Sequence, residues 1–265
     1  MRTAICIPIY KEVPDVYEKI SIQRLVDITK YKYDIYFVRP QRNISMKEYY
    51  DLIPGWEGHV FEIPFSASYF MNTTTYSELC KSYEFYSAFA EYDYLLIYQT
   101  DCYILRDEID DWATKGYDYI GAPIVGTGSG WKHVPYVGNG GFSLRKVSKF
   151  LELTNPEGEF LTEFADEIKE ANDANENGYV EFEDLYFAEL VPFLYSDFTK
   201  PNYNLAGQFA WDRNVDALYN VYLGKLPMGL HAFHKAWKFY RDKIDVSDKS
   251  EMDDWYAKFI ASIKK

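Results

Sequence analysis

Basic residues are in short supply in this sequence: 28 Lys and Arg stand against 41 Asp and Glu, for a formal net charge of −13. That deficit argues against a nucleic-acid backbone as partner and against broad electrostatic adhesion to anionic lipid, leaving room for a local basic patch only. Cysteine is rarer still. Cys6, Cys80 and Cys102 make no spaced pair, and Cys6 and Cys102 sit in or beside apolar strand patterns. Buried thiols in a reducing compartment are expected. No apolar run approaches the ~20 residues of a membrane span. The opening MRTAICIPIYKE turns charged too early for a signal peptide. A cytoplasmic protein, at most peripheral at the inner membrane face, is the expectation.

Several chemical signatures are missing as well. The glycine-rich segment 126–130 is not followed by Lys-Ser/Thr, so there is no Walker loop, and segment 138–141 lacks the Rossmann glycine pattern. No serine nucleophile elbow is present, and His133 has no Ser or Cys partner in sequence. There is no internal repeat and no low-complexity linker.

What is present is apolar and aromatic. Hydrophobic residues make up 48% of the 265 positions, enough for a sizeable core in one large domain or two small ones. Tyr is abundant at 26 residues, which suits both half-buried positions and sugar-stacking clefts, and counting does not separate the two. Short β-branched runs at 3–9, 33–38, 60–63 and 94–98 read as strands. Helical patterns at 14–30, 46–52 and 75–90 lie between them. This alternation predicts an α/β fold with a mainly parallel sheet flanked by helices. Beyond it, a short acidic helix is expected at 107–114, a strand at 117–123, and helices at 146–153, 157–172, 183–194 and 251–263. Three glycines in the 137–144 stretch, Gly138, Gly140 and Gly141, permit close backbone approach or a tight turn before a strand.

The stretch 92–105 organises the rest. Its apolar run stops at Gln99, Thr100 and Asp101, so a buried strand ends on a polar tip with one carboxylate. In open α/β sheets that edge is where ligands bind. A strand followed by a structural Asp turn is the plainer interpretation of the same residues. A second candidate is the segment from Asp173 to Asp184, which fits much of an EF-hand loop: oxygen ligands fall at Asp173, Asn175, Asn177 and Glu181, with Gly178 at the sharp turn. Its twelfth position is Asp184 where a bidentate Glu is usual, and no second hand pairs with it. An acidic solvated loop is the other reading.

Four blocks together carry a resemblance: Gln99-Thr100-Asp101, GNGGFSLR at 138–145, EDLYF at 183–187 and GLHAFHK at 229–235, supported by YDYIGAP at 117–123. In this order and spacing the chain resembles a nucleotide-sugar-dependent glycosyltransferase of the GT-A fold. It is most similar to a polysaccharide glycosyltransferase-like family long catalogued as a domain of unknown function. The resemblance runs from about residue 5 to 235 and implies a GT-A (Rossmann-like), mixed, mainly parallel sheet in a single domain over 1–240. The nucleotide-binding half would be about 1–105 and the acceptor half about 106–240, with an amphipathic C-terminal helix in 241–265.

The resemblance also implies roles. Asp101 matches the last position of the Asp-x-Asp metal motif, and His231, or His234 in its place, the late histidine of the metal site. A divalent cation, Mn²⁺ or Mg²⁺, would stabilise charge on the departing sugar diphosphate. Gln99 stands where many such enzymes have the first Asp; an amide could hydrogen-bond ribose or water but adds no charge. Asp184 matches the base that deprotonates an acceptor hydroxyl in an inverting transferase, with Glu183 second; a plain helix N-terminus is the competing reading. Pro8, Tyr10 and Glu12 fall where this fold holds uracil and ribose, and Arg39 is a further candidate. Thr100, Gly140 and Gly141 would complete the donor site. Tyr76 and Lys81 could approach the diphosphate; Trp131, Tyr136 and the 126–130 loop could meet a sugar. The implied reaction moves a hexose from a UDP-sugar to a saccharide acceptor, possibly lipid-linked, in surface polysaccharide synthesis. A non-catalytic calcium- or glycan-binding protein on a degenerate transferase fold is the alternative. A nucleotide-sugar hydrolase or pyrophosphorylase would be expected to show a basic phosphate loop near the first strand, which IPIYKEVPD lacks. The terminal helix, with Trp255, Phe259, Ile260 and Ile263, would pack on the domain or touch a membrane face.

Overall fold

Strands with no polar face need cover on both sides, and the order of elements supplies it. The structure, a computed structural model, describes residues 1–30, 32–42, 44–55, 58–124, 136–174 and 181–263. Nine strands are assigned among them: β1 (Thr3–Pro8), β2 (Asp34–Pro40), β3 (Val60–Phe65), β4 (Tyr94–Tyr98), β5 (Tyr103–Ile104), β6 (Tyr119–Ile124), β7 (Tyr136–Lys146), β8 (Ala210–Trp211) and β9 (Gly229–Leu230). β1, β4 and β6 are buried at every position. That is the pattern of strands covered on both faces.

The main sheet has the order β3-β2-β1-β4-β7-β6. β1, β2, β3 and β4 run parallel, joined by helical crossovers, while β7 pairs antiparallel with both β4 and β6. A small second sheet, β5-β9-β8, lies beside it. One hydrophobic cluster, with Ile5, Phe37, Leu96 and Phe142, lies on one face of the main sheet. Another, with Cys6, Leu95, Phe150 and Phe187, lies on the opposite face. Alternate residues of β1 and β4 feed the two clusters, as a period of two requires.

Local chemistry explains where helices depart from their expected lengths. The 75–90 pattern forms two helices, Thr73–Cys80 and Tyr83–Ser87. Asn72 caps the first by accepting from the Thr75 N–H at 2.9 Å, and Ser82 caps the second by accepting from the Phe85 N–H at 3.2 Å. Each polar cap offers the backbone a fresh start. The 157–172 pattern is also divided, into Glu159–Glu163 and Ala165–Ala174. The segment beginning Glu183–Leu185 widens into a π turn over Tyr186–Leu190 before Val191–Leu194. Pro192 has no N–H to give the Ala188 carbonyl; Lys200 Nζ donates to that oxygen instead.

The glycines of 137–144 lie within an eleven-residue strand, not in a turn before one. Many tyrosines are buried with the hydroxyl bonded, such as Tyr98 to the Ser21 carbonyl at 3.1 Å and Tyr119 to the Gly138 carbonyl. The C-terminal helix, Lys249–Ile263, packs on the domain. Met252 is fully buried, and Trp255 meets the Tyr17 ring edge-on at 4.8 Å. No helix among the described residues is long and apolar enough to cross a membrane.

Candidate active site

β1 lies between β2 and β4, so strand order reverses at the β1–β4 junction. In such sheets the crevice at the carboxyl ends of those strands is the ligand site. Two cavities open there. The first, about 360 Å³, is lined by Pro8 from the tip of β1, by Gln99, Thr100 and Asp101 from the tip of β4, and by Tyr10, Tyr17, Glu18, Tyr76 and the 70–73 segment. The second, about 370 Å³, is lined by Asn139, Gly140 and Gly141 of β7, by Glu183, Asp184, Arg213 and His231, and by Tyr136. Thr73, Tyr76 and Gln99 belong to both.

His231 lines the second cavity, next to Gln99 of the shared wall. β9 ends one residue before it, and Ala232 takes a left-handed conformation (φ 50°) that turns the chain at once. That conformation is costly for a residue with a Cβ. The turn is tied down where the Phe233 N–H donates to the Asp101 carbonyl at 3.3 Å. His231 Nε2 lies 3.1 Å from Gln99 Oε1 and 3.3 Å from Asp101 Oδ1, while Nδ1 lies 3.1 Å from Asp212 Oδ1. Burial opposes charge on the ring, yet Asp101 and Asp212 together raise His231 to about 10. Asp101 is held at about 2, against its own burial, chiefly by His231. Its Oδ1 is buried without a hydrogen-bond partner among the described residues.

The glycines of β7 make room for this arrangement. A methyl group on Gly141 would overlap the His231 ring, and one on Gly140 would overlap Glu183 Oε1. Clearance for two side chains is thus a reason for the GNGG sequence that spacing does not reveal.

The two adjacent carboxylates, Glu183 and Asp184, have different surroundings. Glu183 receives Arg145, fully buried, at 3.2 Å and the Ser77 hydroxyl at 3.0 Å. Arg145 also donates to the hydroxyls of Tyr86 and Ser143, at 2.8 and 3.1 Å. Glu183 is therefore one member of a buried, satisfied network. Asp184 accepts from the Tyr136 hydroxyl and from the Leu185 N–H, both at 2.8 Å. Burial and then the neighbouring Glu183 charge raise it to about 7. Asp184 is the carboxylate poised to exchange a proton near neutrality.

Other expected residues are distributed more widely. Pro8, Tyr10, Gln99, Thr100 and Asp101 line the first cavity, and Gly140 and Gly141 the second. Glu12 and Arg39 are in neither lining: Glu12 accepts from the Ser45 N–H at 3.2 Å, and Arg39 pairs with Glu62. His234 stacks on Tyr17 with ring centroids 4.1 Å apart, and its Nδ1 is 3.9 Å from Asp101 Oδ2. Burial lowers it to about 4, so it is neutral at pH 7. Tyr76 lines both cavities, whereas Lys81 donates to the Glu181 carbonyl at 3.4 Å. Trp131, His133, the 126–130 loop and positions 175–180 of the calcium-loop pattern lie outside the described residues. Among the described residues no three His, Cys, Asp or Glu side chains are grouped to hold a metal ion by themselves.

Three site residues escaped sequence reasoning. Asp212 grips the back of His231. Arg213 donates from Nε to Asp212 at 3.1 Å. Glu18, almost fully buried, accepts from the Thr100 hydroxyl at 2.7 Å and pairs with Lys11 at 2.7 Å. An acidic residue three positions after Asp15, in the first turn of the helix after β1, was the available signal for Glu18; its burial was not legible.

The profile of a family described as protein of unknown function (DUF5672) matches residues 61–231. No curated protein matches the chain. Among solved structures, the galactosyltransferase LgtC in complex with donor and acceptor sugar analogs superposes with a TM-score of 0.52 at 15% identity, covering 96% of this chain and 95% of that one. Mouse xyloside xylosyltransferase 1, in its apo form, gives 0.51 at 9% identity, over 87% and 97%. At these identities the likeness is one of fold, and the fold is of the GT-A type.

Proposed function

The chain belongs to the family described as protein of unknown function (DUF5672), and from that premise we propose that it is a glycosyltransferase moving a hexose from a UDP-sugar to a saccharide acceptor with inversion. One observation carries the reading. Two cavities share a wall at the switch point, one with Asp101 at its edge and the other faced by a carboxylate raised to about 7. The first takes the nucleotide and the second the acceptor.

In this reading Asp184 accepts the proton of the acceptor hydroxyl. That oxygen forms a bond to the anomeric carbon of the donor. The bond from the same carbon to the diphosphate oxygen breaks, and its electron pair leaves with the nucleotide. Tyr136 holds the Asp184 carboxylate in place, and the Arg145–Glu183 pair fixes the segment that presents it. A divalent cation, Mn²⁺ or Mg²⁺, fits beside Asp101. Asp101 Oδ1 and His231 Nε2, an ion pair in the metal-free protein, are 3.3 Å apart, and neighbouring ligands of such an ion lie about 3 Å apart. Two protein ligands suffice where diphosphate and water supply the rest. When bound, the cation would offset charge on the leaving group. Asp212 fixes the ring from behind: it holds Nδ1 at 3.1 Å, which leaves Nε2 facing Asp101. The acceptor class suggested by the sequence resemblance is a saccharide, lipid-linked or free, of a surface glycan such as capsule or lipopolysaccharide, used at the cytoplasmic side.

The test is a screen of UDP-sugars followed by Asp184→Asn. Transfer should fall by about 10²–10⁴-fold while UDP binding, followed by calorimetry, persists. The wild-type rate should rise with pH through about 7 as Asp184 loses its proton. Proton NMR of the product should show an inverted anomeric centre; a retained one would remove Asp184 as base. Thermal stabilisation by Ca²⁺ alone, with none by UDP plus Mn²⁺, would favour the calcium-binding alternative.

A further inference from the structure

The bond made in transfer runs from an atom held in the second cavity to a carbon held in the first, so the transferred sugar has to lie where the two meet. Thr73, Tyr76 and Gln99 line both. Thr73 is exposed at the start of helix Thr73–Cys80. Tyr76 presents its ring, because its hydroxyl is buried. Gln99 presents an amide on a fixed backbone. Its N–H donates to the Gly141 carbonyl at 3.0 Å, and its carbonyl accepts from the Cys102 N–H at 2.9 Å.

The two ends of that side-chain amide are not equivalent. A glutamine can turn either end toward a neighbour, and the hydrogen bonds around it decide which. His231 Nε2 lies 3.1 Å from Gln99 Oε1. A proton on the ring nitrogen, or a cation beside it, calls for the amide oxygen on that side; the NH2 group there would set donor against donor. The oxygen is thus engaged, while Gln99 Nε2 has no hydrogen-bond partner among the described residues. Half-buried and lining both cavities, Gln99 turns an unused N–H donor to the space where they meet. A carboxylate at this position would accept hydrogen bonds and carry charge; the amide donates and carries none.

We propose that the Gln99 amide N–H reads an oxygen of the transferred sugar, and that this sugar is a neutral hexose. The inference deepens the transferase reading and rests on it. A sugar hydroxyl or an acetamido carbonyl offers the lone pair required. A uronate is disfavoured by the charges nearby. Asp101 and Asp212 offset His231 and Arg213, Glu183 offsets Arg145, and Asp184 remains in excess, so a sugar carboxylate would meet net negative charge. The ribose of the nucleotide carries hydroxyls too, but in this reading it belongs to the first cavity alone, whereas Gln99 lines both.

The experiment follows the glutamine side-chain NH2 signals of ¹⁵N-glutamine-labelled protein by NMR in Mg²⁺. The probes are UDP, UDP-glucose, UDP-galactose, UDP-N-acetylglucosamine and UDP-glucuronate, with affinities from calorimetry. The signal absent from Gln99→Met identifies Gln99. It should shift when the best-bound neutral UDP-hexose replaces UDP. In Gln99→Met, similar in length and without a donor, the ratio of UDP-hexose to UDP affinity should fall about tenfold, the scale of one hydrogen bond. Taking the ratio cancels any effect of the variant on the diphosphate. Gln99→Asn, which keeps an amide but draws it back, should show the same fall. A signal that responds alike to UDP and to the UDP-hexose hands the amide to the ribose and overturns the proposal. A ratio unchanged in both variants, or tightest binding of UDP-glucuronate, overturns it too. Failure of wild type to bind UDP and every UDP-sugar sinks the UDP-sugar transferase reading itself, whereas UDP-hexose binding with an unmoved Gln99 signal overturns this inference alone.

Discussion

His231 is the residue on which most of the site's electrostatics turn. Without a metal its ring carries a proton held by Asp101 and Asp212. Its folded value of about 10 lies above the ~6.5 of a free histidine. The resulting stability is fully present below about 6.5 and is lost as pH rises toward 10. The thermal midpoint of the metal-free protein should thus fall across that window, and His231→Gln should flatten the slope in a calorimetric pH series. In the proposed transferase a metal held by Asp101 and His231 would displace the same proton, so calorimetry at pH 8 in two buffers of different ionisation enthalpy should report about one proton released per Mn²⁺. Some of this was legible in the sequence. Asp101 stood out because an apolar run stopped on it, and His231 because it sits in GLHAFHK. Asp212 did not, because its partner is 19 positions away and the two meet only through the pairing of the two-residue strands β8 and β9. A pairing that short leaves no periodic trace.

At the level of elements, β7 is the piece that holds both cavities in register. It pairs with β4 and β6, passes beneath His231 and Glu183, and carries Arg145 into the core. Gly141→Ala should drive His231 from its place, and overpacking of that kind costs about 1–3 kcal/mol. The expected readout is a lowered melting temperature together with loss of the Mn²⁺ response, whereas Gly116→Ala, where a Cβ meets nothing but φ is +80°, should lower stability and leave the Mn²⁺ response intact. The parallel half of the sheet was readable from alternating patterns, because strand and crossover helix each have their own period. The strand character of 137–144 was obscured by its glycines, which usually weaken a strand and here answer to neighbours remote in sequence. The division of the 75–90 helix was readable in principle from Ser82, yet the aromatic spacing on either side masked it.

For the whole molecule, the terminal helix bears on the site from behind. Tyr17 stacks on His234, and Trp255 packs against both rings. Asp253 accepts from the Trp237 indole at 2.8 Å and pairs with Arg241 at 2.8 Å. Met252→Ala should cost roughly 2–5 kcal/mol as a buried large-to-small change, seen as a lower denaturation midpoint. Removing 249–263 should lower it further and loosen the His234 wall, reported as faster amide exchange in 231–236. The amphipathic pattern of this helix was clear in the sequence, but its partner was not. Of the apolar residues a membrane could have taken, Trp255 and Phe259 meet the ring of His234 and Trp255 that of Tyr17, while Ile263 is exposed.

The shared wall between the cavities has a practical consequence for inhibition. Thr73, Tyr76 and Gln99 border both spaces, so the two are neighbouring rooms with a common threshold. A single compound with a nucleotide-like head and a sugar-like tail can span that threshold on a short tether. Joining the two halves spares the second its own loss of translational freedom, and a short flexible tether raises its local concentration to the order of millimolar. Two weak fragments, found separately for each cavity, are then a rational route to one tight ligand.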